Sequence, residues 1–225
     1  MKVLMLIISS DTDQIYAEHR KVWSSYMNSK KEIECYFIQY RDGSQAIEDN
    51  TFWLNGKESF PAILTKTLDS LDFFLKKDSY DFIVRTNMSS LWNFNALLKH
   101  LETLPREKVY NGIIGEYHIT HFISGSGFIM SLDVAKILLQ NRQIAESVNV
   151  MDDVDIGYTL NKLKILPSLG KRTDYYYREM YDNSTYDSSI YHYRIKWHNT
   201  NMRYQEVEVM KELLAKITKS FLLAF

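Results

Sequence analysis

The sequence predicts an α/β fold in which a central, mostly parallel sheet is flanked by helices, and three observations support this prediction. First, residues 3–8 form a continuous apolar run that ends in polar residues, as in a strand buried on both faces of a parallel sheet. Second, strand-like and helix-like segments alternate along the chain. Third, only eight glycines and three prolines are spread over 225 residues, so no linker or repeat divides the chain and one domain over residues 1–225 is expected.

The N-terminal elements follow from local patterns. After the strand at 3–8, residues 13–27 carry apolar and aromatic side chains at helical spacing, which predicts a helix. Residues 34–39 contain Cys-Tyr-Phe-Ile, typical of a second strand, and the Arg-Asp-Gly-Ser that follows is typical of a turn. Residues 60–76 carry one apolar stripe, which predicts a helix entered at Pro61. Residues 80–85 then predict a short buried strand.

The C-terminal elements continue the alternation. Residues 94–104 predict a helix, 109–114 and 122–130 predict strands, and 132–141 and 154–163 predict two more helices. Residues 204–225 have apolar side chains at helical spacing and predict a closing amphipathic helix. The apolar end of this helix is too short to cross a membrane but could touch one, so peripheral membrane contact is expected there.

Composition excludes several classes of protein. A formal charge of −1 gives no long-range attraction to nucleic acid or to an anionic membrane, so an anion site must be local. The single cysteine, Cys35, cannot form an internal disulfide, which fits a reducing compartment and predicts a cytoplasmic location. No segment predicts a signal peptide or a transmembrane span.

The common catalytic motifs are also missing. The sequence contains no GxxxxGK[ST] loop, and Gly125-Ser126-Gly127 continues without a third glycine, which argues against P-loop NTPases and dinucleotide-binding oxidoreductases. No HExxH, paired CxxC or GxSxG occurs, which argues against zinc proteases, zinc fingers and α/β-hydrolases. The remaining candidates are enzymes whose chemistry depends on carboxylate side chains.

Three segments, in order along the chain, carry a family resemblance. In the first, residues 63–67 read ILTKT and residues 80–89 read YDFIVRTNMS, which is similar to "LTLKT … YDYILKTDDD". In the second, residues 123–131 read ISGSGFIMS, which is similar to "SGGGYVLS". In the third, residues 151–158 read MDDVDIGY, which is similar to "EDVxxG". The order resembles the β-1,3-galactosyltransferase and Fringe-like branch of the GT-A glycosyltransferases, including its small virus-encoded members. It implies a single GT-A-like domain that uses a nucleotide sugar.

The resemblance also implies a divalent metal, Mn²⁺ or Mg²⁺, held by a DxD motif, but here the aligned triplet is Asn87-Met88-Ser89. An amide and a hydroxyl are much weaker ligands for hard cations than carboxylates. Two alternatives follow: basic side chains neutralise the diphosphate directly, or Asp152 and a late histidine hold a cation. Without the resemblance, the triplet is equally typical of a turn. The basic candidates are Lys66, Arg85, Arg194 and Lys196.

Asp153 aligns with the carboxylate that inverting members of the family use as a base, which implies the same role here. Asp152 is then expected to orient the acceptor or to assist a cation. Because Asp155 lies nearby as well, three carboxylates crowd within four positions and at least one raised pKa is expected. The alternative is that these residues only complement the start of a helix.

The other donor-binding candidates lie at predicted strand ends, where ligands of α/β sheets bind. Small residues at 124–127 would let the backbone approach the donor, or would only mark a strand bend. In a short strand, His192, Arg194 and Lys196 would share one face near the diphosphate. The tyrosine-rich residues 175–197 suit a lid over the acceptor, or a surface loop. The remaining candidates are Ser9, Ser10, Ser89, Gly125 and Ser126.

The sequence therefore predicts a hexosyl- or deoxyhexosyltransferase that moves a sugar from a nucleoside diphosphate, expected to be UDP, to a hydroxyl of a glycan or glycoconjugate. Inversion is expected if Asp153 is the base. The alternative is a non-catalytic domain of the same fold that binds a glycan or a nucleotide sugar, because the DxD motif is lost. The transferase is favoured because a scaffold has no use for both an acidic helix start and a basic strand.

Overall fold

The computed structural model describes residues 1–59 and 62–222, with side chains up to residue 219. In this part of the chain a short 3₁₀ helix at Thr200–Met202 precedes the last helix. The strands are β1 (Val3–Ile8), β2 (Ile33–Arg41), β3 (Ala46–Glu48), β4 (Thr51–Asn55), β5 (Phe82–Asn87), β6 (Ser90–Trp92), β7 (Tyr110–Tyr117), β8 (Thr120–Ser131), β9 (Ser168–Leu169), β10 (Arg172–Tyr175) and β11 (His192–Ile195). The helices are α1 (Gln14–Tyr26), α2 (Ile63–Lys77), α3 (Phe94–Thr103), α4 (Leu132–Gln140), α5 (Arg142–Val148), α6 (Asp152–Lys162), α7 (Arg178–Asp182) and α8 (Tyr204–Leu222).

A large central sheet has the strand order β3-β4-β2-β1-β5-β8-β7-β9. Its middle strands β4, β2, β1 and β5 run parallel, whereas β8 pairs antiparallel with both β5 and β7. A smaller sheet, β10-β11-β6, lies beside it. This architecture confirms the predicted α/β fold with a mostly parallel sheet between helices.

Strand β1 shows why the sheet is a middle layer. All six of its residues are buried, and they alternate between two separate cores. Val3, Met5 and Ile7 face the core shared with α1, α3, α8 and the smaller sheet. The intervening residues face the core shared with α2, α4, α5 and α6. The carboxyl ends of β1 and β5 therefore open at one edge between the helix layers.

Several short elements differ from the prediction. The elements that were not predicted are β3, β4, β6, α5, β9, β10 and α7. The tyrosine-rich residues 175–197 combine regular elements with an irregular, mostly exposed stretch at 183–191, and their role as a lid stays a prediction. The segment includes the end of β10, all of α7 and all of β11, and four of its tyrosine rings are core side chains. The hydroxyl groups of Tyr175, Tyr191 and Tyr193 have polar partners at the edge of the core. The buried members are Tyr175, Tyr181, Tyr191 and Tyr193.

The predicted entry to the second helix, Phe60 and Pro61, lies outside the described residues, and α2 begins at Ile63. Among the residues that the structure describes, no helix has both the length and the apolar character that crossing a membrane requires. The predicted membrane contact concerns residues 220–225, whose side chains lie outside the described part of the chain.

Candidate active site

A cavity of about 420 Å³ lies at the carboxyl ends of β1 and β5, between α2, the start of α6 and the end of β11. This is the edge of an α/β sheet at which ligands are expected to bind. Its walls bring together every candidate residue from the sequence except His192, while the roles of these residues stay predictions. Those lining it are Ser9, Ser10, Lys66, Arg85, Asn87, Ser89, Gly125, Ser126, Asp152, Asp153, Arg194 and Lys196.

Asp153 is fixed by backbone amides. Its Oδ2 accepts a hydrogen bond of 2.7 Å from the Gly125 amide, and its Oδ1 accepts one of 3.0 Å from the Val154 amide. A β-carbon on Gly125 would lie 3.1 Å from that Oδ2 and 3.0 Å from Nη1 of Arg85. The absence of a side chain at position 125 therefore lets Asp153 and Arg85 approach the β8 backbone together.

Asp152 forms a buried ion pair with Arg85, and the same guanidinium also donates to the Gly125 carbonyl oxygen. Burial raises the pKa of Asp152, while the nearby Arg85 opposes this and Asp153 adds to it. Asp152 and Asp153 thus lie side by side at the start of α6, but only Asp152 has a cationic partner among the described residues.

Asp155 belongs to the helix start and does not line the cavity. Its Oδ1 accepts a hydrogen bond of 3.0 Å from the Val150 amide, which closes the turn that leads into α6. Burial raises the pKa of Asp155. The expected raised pKa among the three carboxylates is found at Asp152 and Asp155. The contact of Asp155 with the Val150 amide also agrees with the alternative that these residues complement the start of a helix.

The residues at the DxD position form a tight turn between β5 and β6. Ser90 Oγ donates to Oδ1 of Asn87 at 3.2 Å, and Trp23 Nε1 donates to the Met88 carbonyl oxygen at 3.2 Å. Met88 itself is buried. These contacts agree with the turn interpretation of the triplet.

The donor set of the cavity does not fit a hard divalent cation. Within residues 1–59 and 62–222, no three His, Cys, Asp or Glu side chains come together as a metal cluster. Asp152 is paired with Arg85, whose positive charge would repel a cation placed beside it. Neither late histidine lines the cavity with Asp152, because His192 is buried in the smaller sheet and the ring of His198 stacks on Tyr176.

His192 is buried in the smaller sheet and does not line the cavity. Its ring stacks on Trp92 at 4.2 Å between centroids, and its Nε2 lies 3.1 Å from Ser90 Oγ. Burial lowers its pKa well below the usual histidine value, and the positive charges of Arg172 and Arg194 add to this effect. A β-carbon on Gly127 would meet Trp92 and His192 at 2.6 and 2.7 Å, so this glycine makes room for that stack. The prediction that His192 faces the diphosphate is therefore wrong.

The four basic candidates divide into two pairs. Lys66 Nζ donates to the Ser9 carbonyl oxygen at 2.7 Å and lies 2.6 and 2.8 Å from the two carboxylate oxygens of Glu58. Burial lowers the pKa of Lys66, and Glu58 opposes this shift. Lys66 and Arg85 are therefore already neutralised by acidic neighbours.

Arg194 and Lys196, by contrast, form no ion pair or side-chain hydrogen bond with any residue that the structure describes. Arg194 Nε is buried without a partner in that part of the chain. Burial lowers the pKa of Lys196, and the positive charges of Arg194 and Arg203 add to this effect. Uncompensated cations in a cavity indicate a binding site for an anion.

Sequence patterns missed two residues that line the cavity, Glu58 and Tyr16, and one that contacts its wall, Arg172. Glu58 neutralises Lys66, and Tyr16 on α1 lines the cavity. Arg172 on β10 donates to Ser126 Oγ and pairs with Asp174. The motifs gave no signal for Glu58, which lies before α2, or for Arg172, whose short strand was not predicted.

Comparisons with known proteins identify the fold. No protein-family model and no curated protein matches this sequence. Among solved structures, the chain is similar to a glycosyltransferase involved in the glycosylation of the major capsid of PBCV-1, with a TM-score of 0.57, 12% identity, and coverage of 94% of this chain and 100% of the other. It is also similar to the galactosyltransferase LgtC, solved with donor and acceptor sugar analogs, with a TM-score of 0.52, 12% identity, and coverage of 95% and 96%. An active-site mutant of LgtC gives 0.52 at 10% identity, with 96% of each chain covered. The protein thus has the α/β fold of GT-A glycosyltransferases.

Proposed function

We propose that this protein transfers a hexosyl or deoxyhexosyl group from a nucleoside diphosphate sugar, UDP being the expected nucleotide, to a hydroxyl of a glycan or glycoconjugate. One observation carries the proposal: the same cavity holds an amide-anchored carboxylate, Asp153, and two cations, Arg194 and Lys196, that are unpaired among the described residues. Sugar transfer needs both, because a proton must be accepted and a diphosphate must leave. The fold supports this proposal as well.

The proposed reaction gives each group one task. The acceptor oxygen attacks the anomeric carbon, its proton passes to Asp153, and the bond between that carbon and the diphosphate oxygen breaks with its electron pair on the diphosphate. The backbone hydrogen bonds of Asp153 hold the carboxylate in one orientation for this step. Attack from the face opposite the diphosphate inverts the anomeric configuration.

The second candidate function is a non-catalytic domain that binds a nucleotide sugar or a glycan. The structural turn at Asn87-Met88-Ser89 is the observation that favours it, because the acidic motif of related transferases is absent. Both candidates require binding in the cavity, but only the transferase releases a nucleoside diphosphate from its sugar. Turnover therefore separates them. A cytoplasmic location stays a prediction, supported by the single buried thiol of Cys35.

Thermal unfolding with a panel of UDP, GDP, CDP and NAD tests the binding step. A ligand at 100 times its Kd stabilises the folded state by about 2.7 kcal/mol. We expect UDP to raise the melting temperature most and NAD to leave it unchanged. If none of the nucleoside diphosphates raises it, with or without Mn²⁺, both the transferase and the nucleotide-binding candidates are wrong.

A further inference from the structure

We infer that Arg194 and Lys196 at the end of β11 form a built-in counter-ion for the donor diphosphate, so that donor binding needs no divalent cation. This inference deepens the proposed function and rests on it. It concerns which groups neutralise the two phosphates, and three sets of contacts support it.

The first set lies at Asn87-Met88-Ser89, the position at which the family resemblance implies acidic metal ligands. Oδ1 of Asn87 is engaged by Ser90 Oγ at 3.2 Å, Met88 is buried, and the Ser89 carbonyl oxygen accepts the Ile195 amide at 2.7 Å. This turn therefore joins β5 to the smaller sheet. Its side chains offer no charged oxygen to a cation.

The second set shows that the acidic side chains lining the cavity have other partners. Asp152 is paired with Arg85, and Glu58 is paired with Lys66 at 2.6 Å. Oδ2 of Asp153 accepts the Gly125 amide at 2.7 Å. A divalent cation near Asp152 would also face the positive charge of Arg85, which is 2% exposed and cannot swing away into water without breaking its buried contacts.

The third set concerns the two cations themselves. Arg194 and Lys196 lie two positions apart, so both point to one side of the chain as it leaves β11. Neither has an ion pair within the described residues, and Nε of Arg194 is buried there without a partner. Two unpaired like charges close together oppose folding unless the cavity binds an anion, and a diphosphate supplies that anion with oxygen atoms for both side chains.

The test is calorimetric titration of the chain of residues 1–225 with UDP, in EDTA and in Mn²⁺. The variants are Arg194→Gln and Lys196→Gln. The matched controls are Arg106→Gln and Lys76→Gln, which remove the same charges from exposed positions outside the cavity. We expect wild-type affinity in EDTA to stay within about twofold of that in Mn²⁺. Each cavity variant should bind about 10- to 100-fold more weakly, the usual effect of losing one charge-assisted hydrogen bond, whereas the controls should bind normally.

A melting curve of each free variant separates binding from folding. Because the two cations repel one another, their removal should leave the melting temperature unchanged or raise it. If Arg194→Gln unfolds at a lower temperature, the more exposed Lys196→Gln decides the question. Loss of UDP binding in EDTA together with normal binding by both cavity variants overturns the inference while the proposed function stands. Absence of UDP binding in every condition overturns the proposed function itself.

Discussion

At the scale of single residues, the proposed chemistry depends on how Asp153 and Gly125 fit together. The Gly125 amide anchors Asp153, and the Gly125 carbonyl oxygen accepts from the guanidinium of Arg85. One glycine therefore positions both the carboxylate proposed as base and the ion pair beside it.

Replacing Asp153 with Asn keeps the size of the side chain and removes its basicity. We expect the rate of sugar transfer to fall about 10²–10⁴-fold, since this is the usual loss when a general base is removed. Nucleotide affinity should change little. The comparison is Asp152→Asn, which leaves Arg85 without its buried partner and should instead lower stability, by about 3–5 kcal/mol. A folded Asp153→Asn protein that transfers sugar at the normal rate would exclude Asp153 as the base.

Replacing Gly125 with Ala adds a β-carbon 3.0 Å from Arg85 Nη1 and 3.1 Å from Asp153 Oδ2. Contacts this short force both side chains to shift, and we expect a stability loss of about 1–3 kcal/mol. Turnover should fall more than nucleotide affinity, because the cations on β11 are not displaced. Denaturant unfolding and steady-state kinetics measure the two effects, and a Gly125→Ala protein with normal stability and turnover contradicts the geometry described here.

The lowered pKa of Lys196 predicts a pH dependence of binding. Lys196 is faced by Arg194 on its own strand and by Arg203 and Glu206 at the start of α8, and it loses its proton at a lower pH than an ordinary lysine. UDP-sugar affinity should therefore fall as the pH rises through this lowered pKa. The free protein should become more stable over the same range, because the unfolded state then holds more protons. Binding titrations with a UDP-sugar at several pH values test this prediction. The Lys196→Gln variant is the control, because it shows the pH dependence that comes from ionisation of the nucleotide. An identical pH profile in that variant contradicts the prediction.

At the scale of elements, the position of β11 depends on a buried charged cluster between α1 and α8. Glu206 and His19 are both fully buried with 3.1 Å between Oε2 and Nε2, and Arg203 Nε lies 2.9 Å from Oε1 of Glu206. The same Glu206 oxygen accepts the amide of Trp197, the residue after Lys196, at 2.8 Å. The cluster thus holds the end of the segment that carries the two cavity cations.

Glu206→Gln should therefore destabilise the fold by about 3–5 kcal/mol, because it leaves the largely buried guanidinium of Arg203 without its carboxylate partner. Burial by itself raises the pKa of Glu206, but its close contacts with His19 and Arg203 outweigh burial and lower it. The stability that Glu206 adds is complete above the ordinary glutamate pKa and is lost as the pH falls through the lowered value. Unfolding curves between neutral and acid pH measure this. Equal acid sensitivity of wild type and Glu206→Gln would show that the cluster contributes nothing.

Sequence patterns predicted the long elements well and the short ones poorly. The buried strand Val3–Ile8 and the helix that begins near Asp152 stand out because each carries an uninterrupted pattern. The strands Ala46–Glu48 and Arg172–Tyr175 are too short to show a period. The tyrosine-rich segment looked like a loop because its rings pack in the core while their hydroxyl groups make it look polar.

At the scale of the whole molecule, the order of motifs predicted which residues meet at the strand ends, and the fold does bring them to one cavity. Their charge partners could not be predicted. Lys66 pairs with Glu58 and Arg85 with Asp152, whereas Arg194 has no such partner among the described residues. A cationic side chain is available to a ligand only if no other part of the fold already neutralises it. Such contacts join residues far apart in the sequence, so the spacing of residues along the chain does not reveal them. Likewise, the net charge of −1 for the whole chain does not reveal that one wall of the cavity is basic.

The most direct test of the proposed transferase is release of a nucleoside diphosphate from a nucleotide sugar by the chain of residues 1–225. The measurement supplies UDP-sugars with a mixture of glycan acceptors in EDTA and compares wild type with Asp153→Asn. We predict UDP release by the wild type, together with a sugar added to an acceptor, and a rate at least about 100-fold lower in the variant. Tight binding of UDP-sugars without any release, in EDTA or in Mn²⁺, would contradict the transferase and leave a nucleotide-sugar-binding domain.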